Sequence, residues 1–71
     1  MLTFGEKIKV MAKRKGITMS QLAEMTDQTK QNLTNKFKRD NFTESEMMKF
    51  CTALGCECTI TITDSESGEM I

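Results

Sequence analysis

Residues 20–33 read Ser20-Gln21-Leu22-Ala23-Glu24-Met25-Thr26-Asp27-Gln28-Thr29-Lys30-Gln31-Asn32-Leu33. Apolar residues mark both ends of the stretch, Leu22-Ala23 on one side and Leu33 on the other. Between them Thr26-Asp27-Gln28-Thr29 offers nothing apolar to bury. A helix that packs on a core needs an apolar residue on each turn. Two short helices joined by a tight turn satisfy the pattern better than one long one. Thr18, with Gln21 three residues later, makes a capping box for the first helix. Thr29 is positioned to cap the second. The spacing predicts helices over 19–25 and 30–37, with the turn at Asp27-Gln28. Leu22, Ala23 and either Met25 or Thr26 face inward from the first helix. Leu33 and Phe37, one turn apart, face inward from the second.

Outward from this pair the punctuation continues. Phe4, Ile8, Met11 and Ala12 recur every three or four residues, predicting a helix over 4–14 that Gly16 ends. Asp40-Asn41 is a turn dipeptide, and Phe42 behind it is an anchor for the loop. Thr43 with Glu46 forms a further capping box. It opens a helix over 44–54 with Met47, Phe50, Cys51 and Leu54 inside and Gly55 as the stop. After Gly55 the period falls to two. Cys56, Cys58, Ile60 and Ile62 alternate with Glu57, Thr59, Thr61 and Thr63, predicting a strand over 56–63. Residues 64–68 are turn-like, and 69–71 are a candidate return strand. The expected fold is mainly α, with residues 1–55 a helical domain and 56–71 a C-terminal β-element.

Seventy-one residues suffice for one small domain with a modest core. The methionines Met11, Met25, Met47 and Met48 read as filler for it. Net charge is zero but unevenly spread. Residues 1–50 hold all ten Lys and Arg against six acids, a net of +4; residues 51–71 hold four acids and no base. Such a split points to a basic working part and a separate acidic element. Histidine is absent, no acid pair is recognisable, and no glycine-rich loop could cradle a phosphate. An enzyme is therefore not expected, and neither is a cofactor. Cys51, Cys56 and Cys58 are an odd number without a CxxC pair, which fits neither a disulfide framework nor a four-ligand zinc site. They read as reduced, small, largely apolar side chains of a cytoplasmic chain. No signal peptide pattern and no membrane-length apolar run is present.

With Leu33 and Phe37 turned inward, the second helix of the pair shows Lys30, Gln31, Thr34, Asn35 and Lys38 outward. That surface carries amides, a hydroxyl and cations but no acid. Amides pair with adenine edges and lysine with guanine edges, and a helix fits the major groove. The stretch from Gly16 to Leu54, with the first helix extending it back to Phe4, resembles the Cro/CI-type helix-turn-helix family of phage and bacterial regulators. Leu22-Ala23 stands at the buried pair of the first motif helix, Asp27 at the usual turn glycine, and Leu33 at the apolar anchor of the second. The resemblance implies a lambda-repressor-like domain of four to five helices and binding to double-stranded DNA. It places base contacts on Lys30, Gln31 and Asn35, with Thr34 beside them. It places phosphate contacts on Thr18, Ser20, Gln21 and Thr29 at the helix starts, and on Lys38, Arg39 and Asn41 after the second motif helix. Three positions depart from the family pattern. Phe37 stands where a glutamate is common, Asp40 where a glycine follows, and Ala12 where the first helix often has arginine.

A lone strand leaves its backbone groups unpaired. Pairing with a second copy would cover Cys58, Ile60 and Ile62, so a homodimer on a palindromic operator is expected, acting as a transcriptional repressor. The competing class is a protein-interaction module or antitoxin-like regulator in which the same strand adds to a partner's sheet.

Overall fold

The computed structural model describes residues 1–71. Four helices follow one another: α1 (Phe4–Arg14), α2 (Met19–Met25), α3 (Lys30–Arg39) and α4 (Glu44–Ala53). No fifth helix forms. Each helix begins on a threonine in extended conformation whose hydroxyl oxygen accepts from the backbone N–H three residues on. At Thr18 and Thr43 the expected capping boxes close reciprocally, through Gln21 Oε1 and Glu46 Oε1. Thr3 and Glu6 form another that the periodicity did not single out. This regularity matters in a chain this small, because each cap satisfies N–H groups that a short helix would otherwise leave open. Gly16 and Gly55 take positive φ just past the ends of α1 and α4.

The core is a single cluster: Ile8, Ala12, Leu22, Ala23, Leu33, Phe37, Phe50, Cys51 and Leu54. α2 packs against each of the other three helices, and α1 also packs against α4. All four phenylalanines of the chain meet edge to face. Phe42 lies 5.1 Å from both Phe4 and Phe37, and Phe50 lies 5.6 Å from Phe37 and Phe42. Phe42 thus plugs the α3–α4 loop onto the core as its position suggested. The two family departures at Ala12 and Phe37 fall on buried positions, where apolar side chains suit one another. Lys9 Nζ sits 5.8 Å from the Phe37 ring centre, covering it as a cation.

The turn between α2 and α3 is tied from inside. Met25 is exposed, and Thr26 is the buried residue of that pair. The Thr26 hydroxyl donates to Leu22 O at 2.8 Å and accepts from Gln28 Nε2 at 3.0 Å. Asp27 then takes φ 58°, the left-handed region that aspartate enters more readily than most side chains. Thr26→Val keeps the shape and removes the hydroxyl. The Leu22 and Ala23 carbonyls retain backbone donors, Thr26 N at 3.1 Å and Gln28 N at 2.8 Å. The expected cost is therefore about 1 kcal/mol, that of a hydrogen bond rather than of a stranded polar group. Urea denaturation reads it directly, and an unchanged midpoint would show that the hydroxyl does not hold the turn.

Asp40, also left-handed at φ 52°, closes α3. Its Oδ1 accepts from Gly5 N at 3.0 Å, tying the end of α3 to the first turn of α1. A side chain at Gly5 would bring its Cβ within 2.7 Å of that oxygen. The aspartate that replaces the family's glycine is thus a tie between helices, and Gly5 is the space it needs.

The expected C-terminal strand over 56–63 does not form. A strand exists through its neighbour, and residues 57–61 make no backbone–backbone hydrogen bond. The chain returns only at its end, in one antiparallel bridge between Thr63 and Met70 flanked by paired bonds between Ile62 and Ile71. The alternation still has a packing consequence. Cys56 and Cys58 rest half-buried on the core while Glu57 is exposed. The terminal turn is held by the Asp64 carboxylate, which accepts from Glu66 N at 2.9 Å. Backbone N–H groups of Glu66 and then Ser67 hold its pKa below the usual value. The carboxylate form is the one the turn favours, so the turn is secure at neutral pH. It is expected to loosen as pH falls through the depressed Asp64 pKa. The Glu66 amide shift followed by NMR should titrate with Asp64, and a flat shift below pH 4 would exclude the contact.

Candidate nucleic-acid interface

α3 is the helix that Leu22, Ala23 and the Thr26 knot hold in place. Its inner line is Leu33 and Phe37, both buried. Lys30, Gln31, Thr34, Asn35, Lys38 and Arg39 are all exposed. The helix runs two residues further than its apolar spacing implied, to Arg39. That extra half turn aligns Asn32, Asn35, Lys36 and Arg39 along one flank. With Gln28 before the helix and Asn41 after it, they line an open hollow of about 340 Å³ without one hydrophobic side chain. Asn32 and Gln28 were not among the expected contacts. The 32, 35, 36, 39 spacing would have shown Asn32 had the helix been carried to its true end.

Charge on this surface is set by what is already paired. Lys36 is engaged by Glu46 of α4, whose Oε2 is shielded from solvent. The same glutamate caps α4 through Oε1. Asp40 is committed to Gly5. Lys38 and Arg39 make no ion pair and stay open to solvent. Glu46 and Asp40 are thus occupied, α3 itself carries no acid, and its outer surface is cationic and amide-bearing. Thr18 and Thr29 are exposed, but their hydroxyl oxygens already accept from Gln21 N and Asn32 N. They can donate to an anion without giving up the cap. Ser20 is exposed beside Thr18 in the first turn of α2. The expected phosphate set thus stands at the start of α2 (Thr18, Ser20, Gln21), at the start of α3 (Thr29), and at and just beyond the end of α3 (Lys38, Arg39, Asn41).

Cys58, Ile60 and Ile62 are not gathered in the same way. Cys58 packs on its own core, whereas Ile60 and Ile62 are exposed. No group of three thiol, carboxylate or imidazole side chains stands at metal-ligand distance. No helix is long and apolar enough to cross a membrane.

The geometry is that of a helix-turn-helix: a buttressing helix, a tight left-handed turn, and a second helix with one face open. The pattern of the Cro/C1-type HTH DNA-binding domain matches residues 7–59, from α1 through α4. The chain belongs to this family and is a DNA-binding domain. Comparison with curated proteins returns no match, and comparison with solved structures returns none.

Proposed function

We propose that the chain is a transcriptional repressor that recognises a specific duplex sequence through α3 and acts by occupying its operator. The observation that carries the reading is the acid-free exposed face of α3 around Asn35, with Leu33 and Phe37 buried behind it. Gln31, Asn35, Thr34 and Lys30 offer the donors and acceptors that base edges require. Lys38 and Arg39 supply phosphate contacts at one end, and the first turn of α2 supplies uncapped N–H groups at the other. Selection from a random duplex library at fixed salt tests this. One enriched half-site is expected, with affinity falling steeply as salt rises because counterions are released. No enriched sequence, together with salt-insensitive binding, would favour the protein-interaction reading.

The operator is proposed to be palindromic and the repressor a homodimer. What supports this is the apolar surface of the C-terminal segment. Ile62 is 66 % exposed, and Met70 and Ile71 more so, around a bridge too short to be a stable hairpin alone. A second copy brought edge to edge would cover these side chains and pair the open backbone of residues 57–61. Ile62→Asp, which disturbs no core contact, should shift sedimentation at micromolar concentration from dimer toward monomer. It should also weaken operator binding while leaving the thermal midpoint of the helices near its original value. A wild-type chain that sediments as a monomer at high micromolar concentration would remove the dimer.

A further inference from the structure

Four carboxamides, Gln28, Asn32, Asn35 and Asn41, line the polar hollow beside α3. Gln28 is the one among them whose side chain is held by a hydrogen bond within the chain; the asparagine amides can turn either end outward. Its Nε2 donates to the Thr26 hydroxyl at 3.0 Å, and Thr26 is wholly buried. A proton count fixes the direction of that bond. Thr26 Oγ1 lies 2.8 Å from Leu22 O and 3.3 Å from Ala23 O. Two oxygens as close as the first pair need a proton between them, and a hydroxyl has one to give. Toward Gln28, then, Thr26 can only accept. The nitrogen end of the amide is held against the turn, and Oε1 is the end left for the hollow. Gln28 thus offers an acceptor whose identity is set by a buried residue.

We propose that Gln28 is a specificity-determining residue that accepts a hydrogen bond from the exocyclic amine of one base, with Thr26 as its positioning residue, a role that rests on the docking of α3 proposed above. Asn35 is common to the hollow and to the outer face of α3, so a duplex read by Asn35 passes over the hollow. The acceptor decides what is read there. In the major groove adenine N6 and cytosine N4 donate, whereas guanine O6 and thymine O4 accept. A fixed acceptor therefore separates amino bases from keto bases on the strand it faces. The sugar-phosphate backbone of DNA lacks a hydroxyl donor, so Oε1 does not suit it. Arg39, outside any ion pair further along the hollow, is the group for a phosphate. Cation and acceptor sort one strand, its backbone to Arg39 and its base edge to Gln28.

Holding the amide matters because an unheld one reads either kind of base. Half a turn exchanges Oε1 for Nε2, an acceptor for a donor. Thr26→Val keeps the shape of the turn and frees the amide. Thr26, which is buried and touches no DNA, is thereby expected to control which bases are accepted at one position.

The test is selection from a random duplex library at fixed salt by the full chain and its variants, followed by titration of the selected duplex and its single-pair substitutions. The wild type should show one position where adenine or cytosine is preferred to guanine or thymine on one strand by about fivefold, the effect of one hydrogen bond. Gln28→Met, similar in length and without a hydrogen-bonding amide, should erase that preference and leave the rest of the half-site intact. Thr26→Val should erase it too, by raising affinity for the keto duplexes relative to the amino ones. Thr26→Ser keeps the hydroxyl and should keep the preference. Combining Thr26→Val with Gln28→Met should change nothing further at that position. Lost stability weakens all duplexes equally, so the amino-to-keto ratio is a readout that a merely structural role does not move. Helical circular dichroism shows that each variant remains folded. If Gln28→Met reads every position as the wild type does, or weakens selected and random duplexes alike, Gln28 reads no base. If Thr26→Val keeps the preference, Thr26 does not position the amide. A wild type that enriches no site removes the role of Gln28 together with the docking of α3, whereas an enriched site read identically by the variants removes the role of Gln28 alone.

Discussion

Phe50→Ala is expected to remove most of the protein's stability at room temperature. Phe50 is 1 % exposed and touches the rings of Phe37 and Phe42, so its removal opens a cavity where α3, α4 and the loop between them meet. Truncating a buried phenylalanine costs about 3–5 kcal/mol. Whole domains are stable by roughly 5–15 kcal/mol, and small ones sit near the lower end. The loss is therefore comparable with the entire stability. The collapse available to relieve the cavity is limited, because Phe42 is held from the far side by Phe4 and cannot follow without leaving α1. Phe50→Leu keeps most of the volume and should cost less, about 1.5 kcal/mol or below if the neighbours repack. The pair separates volume from ring contacts in a single denaturant experiment. A Phe50→Ala protein with the wild-type midpoint would mean that the ring cluster is not the core.

The sequence was most legible where one kind of signal repeated. α1 and α2 fall on their expected boundaries because a threonine opens each helix and apolar spacing runs to its end. The turn at Asp27 was legible too, because four consecutive polar residues cannot belong to a packed helix. α3 was cut short at its last apolar residue, although Lys38 and Arg39 continue the helix with only solvent beside them. Apolar periodicity measures what is buried, not where backbone hydrogen bonds end. That gap hid the flank through Asn32 and Arg39. The strand over 56–63 failed for the opposite reason. Alternation reports which side chains share a side: Cys56 and Cys58 do share one and rest half-buried on the core, while Ile60 and Ile62, expected on the same side, are exposed. Pairing depends on a partner elsewhere, which a local period does not contain. The ties made by Thr26, Asp40 and Glu46 were also hidden. Each is a polar side chain whose partner is set by tertiary contact or turn geometry, and residue type alone suggested only a turn or a cap.

Asn35→Ala and Lys38→Ala should both weaken DNA binding, in ways that distinguish reading a sequence from holding a duplex. Asn35 is two residues from Leu33 and two from Phe37. At about 100° per residue that places it nearly opposite the buried line. On the proposed reading it is the side chain of α3 that would enter a groove first. A bidentate amide contact to a base is worth roughly 1–3 kcal/mol of discrimination. Asn35→Ala should therefore lower affinity for the selected duplex by about 5- to 150-fold. It should relax preference at one position and leave random DNA nearly unaffected. Gln31→Ala should behave likewise at a neighbouring position. Lys38 is exposed near the end of the helix and outside any ion pair, so on the proposed reading its charge is free to meet phosphate. Lys38→Ala should weaken selected and random duplexes alike and reduce the salt slope by about one. Neither side chain belongs to the core, so both variants should melt with the wild type. Lys36→Ala supplies the contrast, because Lys36 is spent on Glu46. Its loss should lower stability by at most about 1 kcal/mol and change the salt slope little. Equal loss of selected and random binding in Asn35→Ala would move base reading away from the outer face of α3. An unchanged slope in Lys38→Ala would move the phosphate grip toward Arg39 and the first turn of α2.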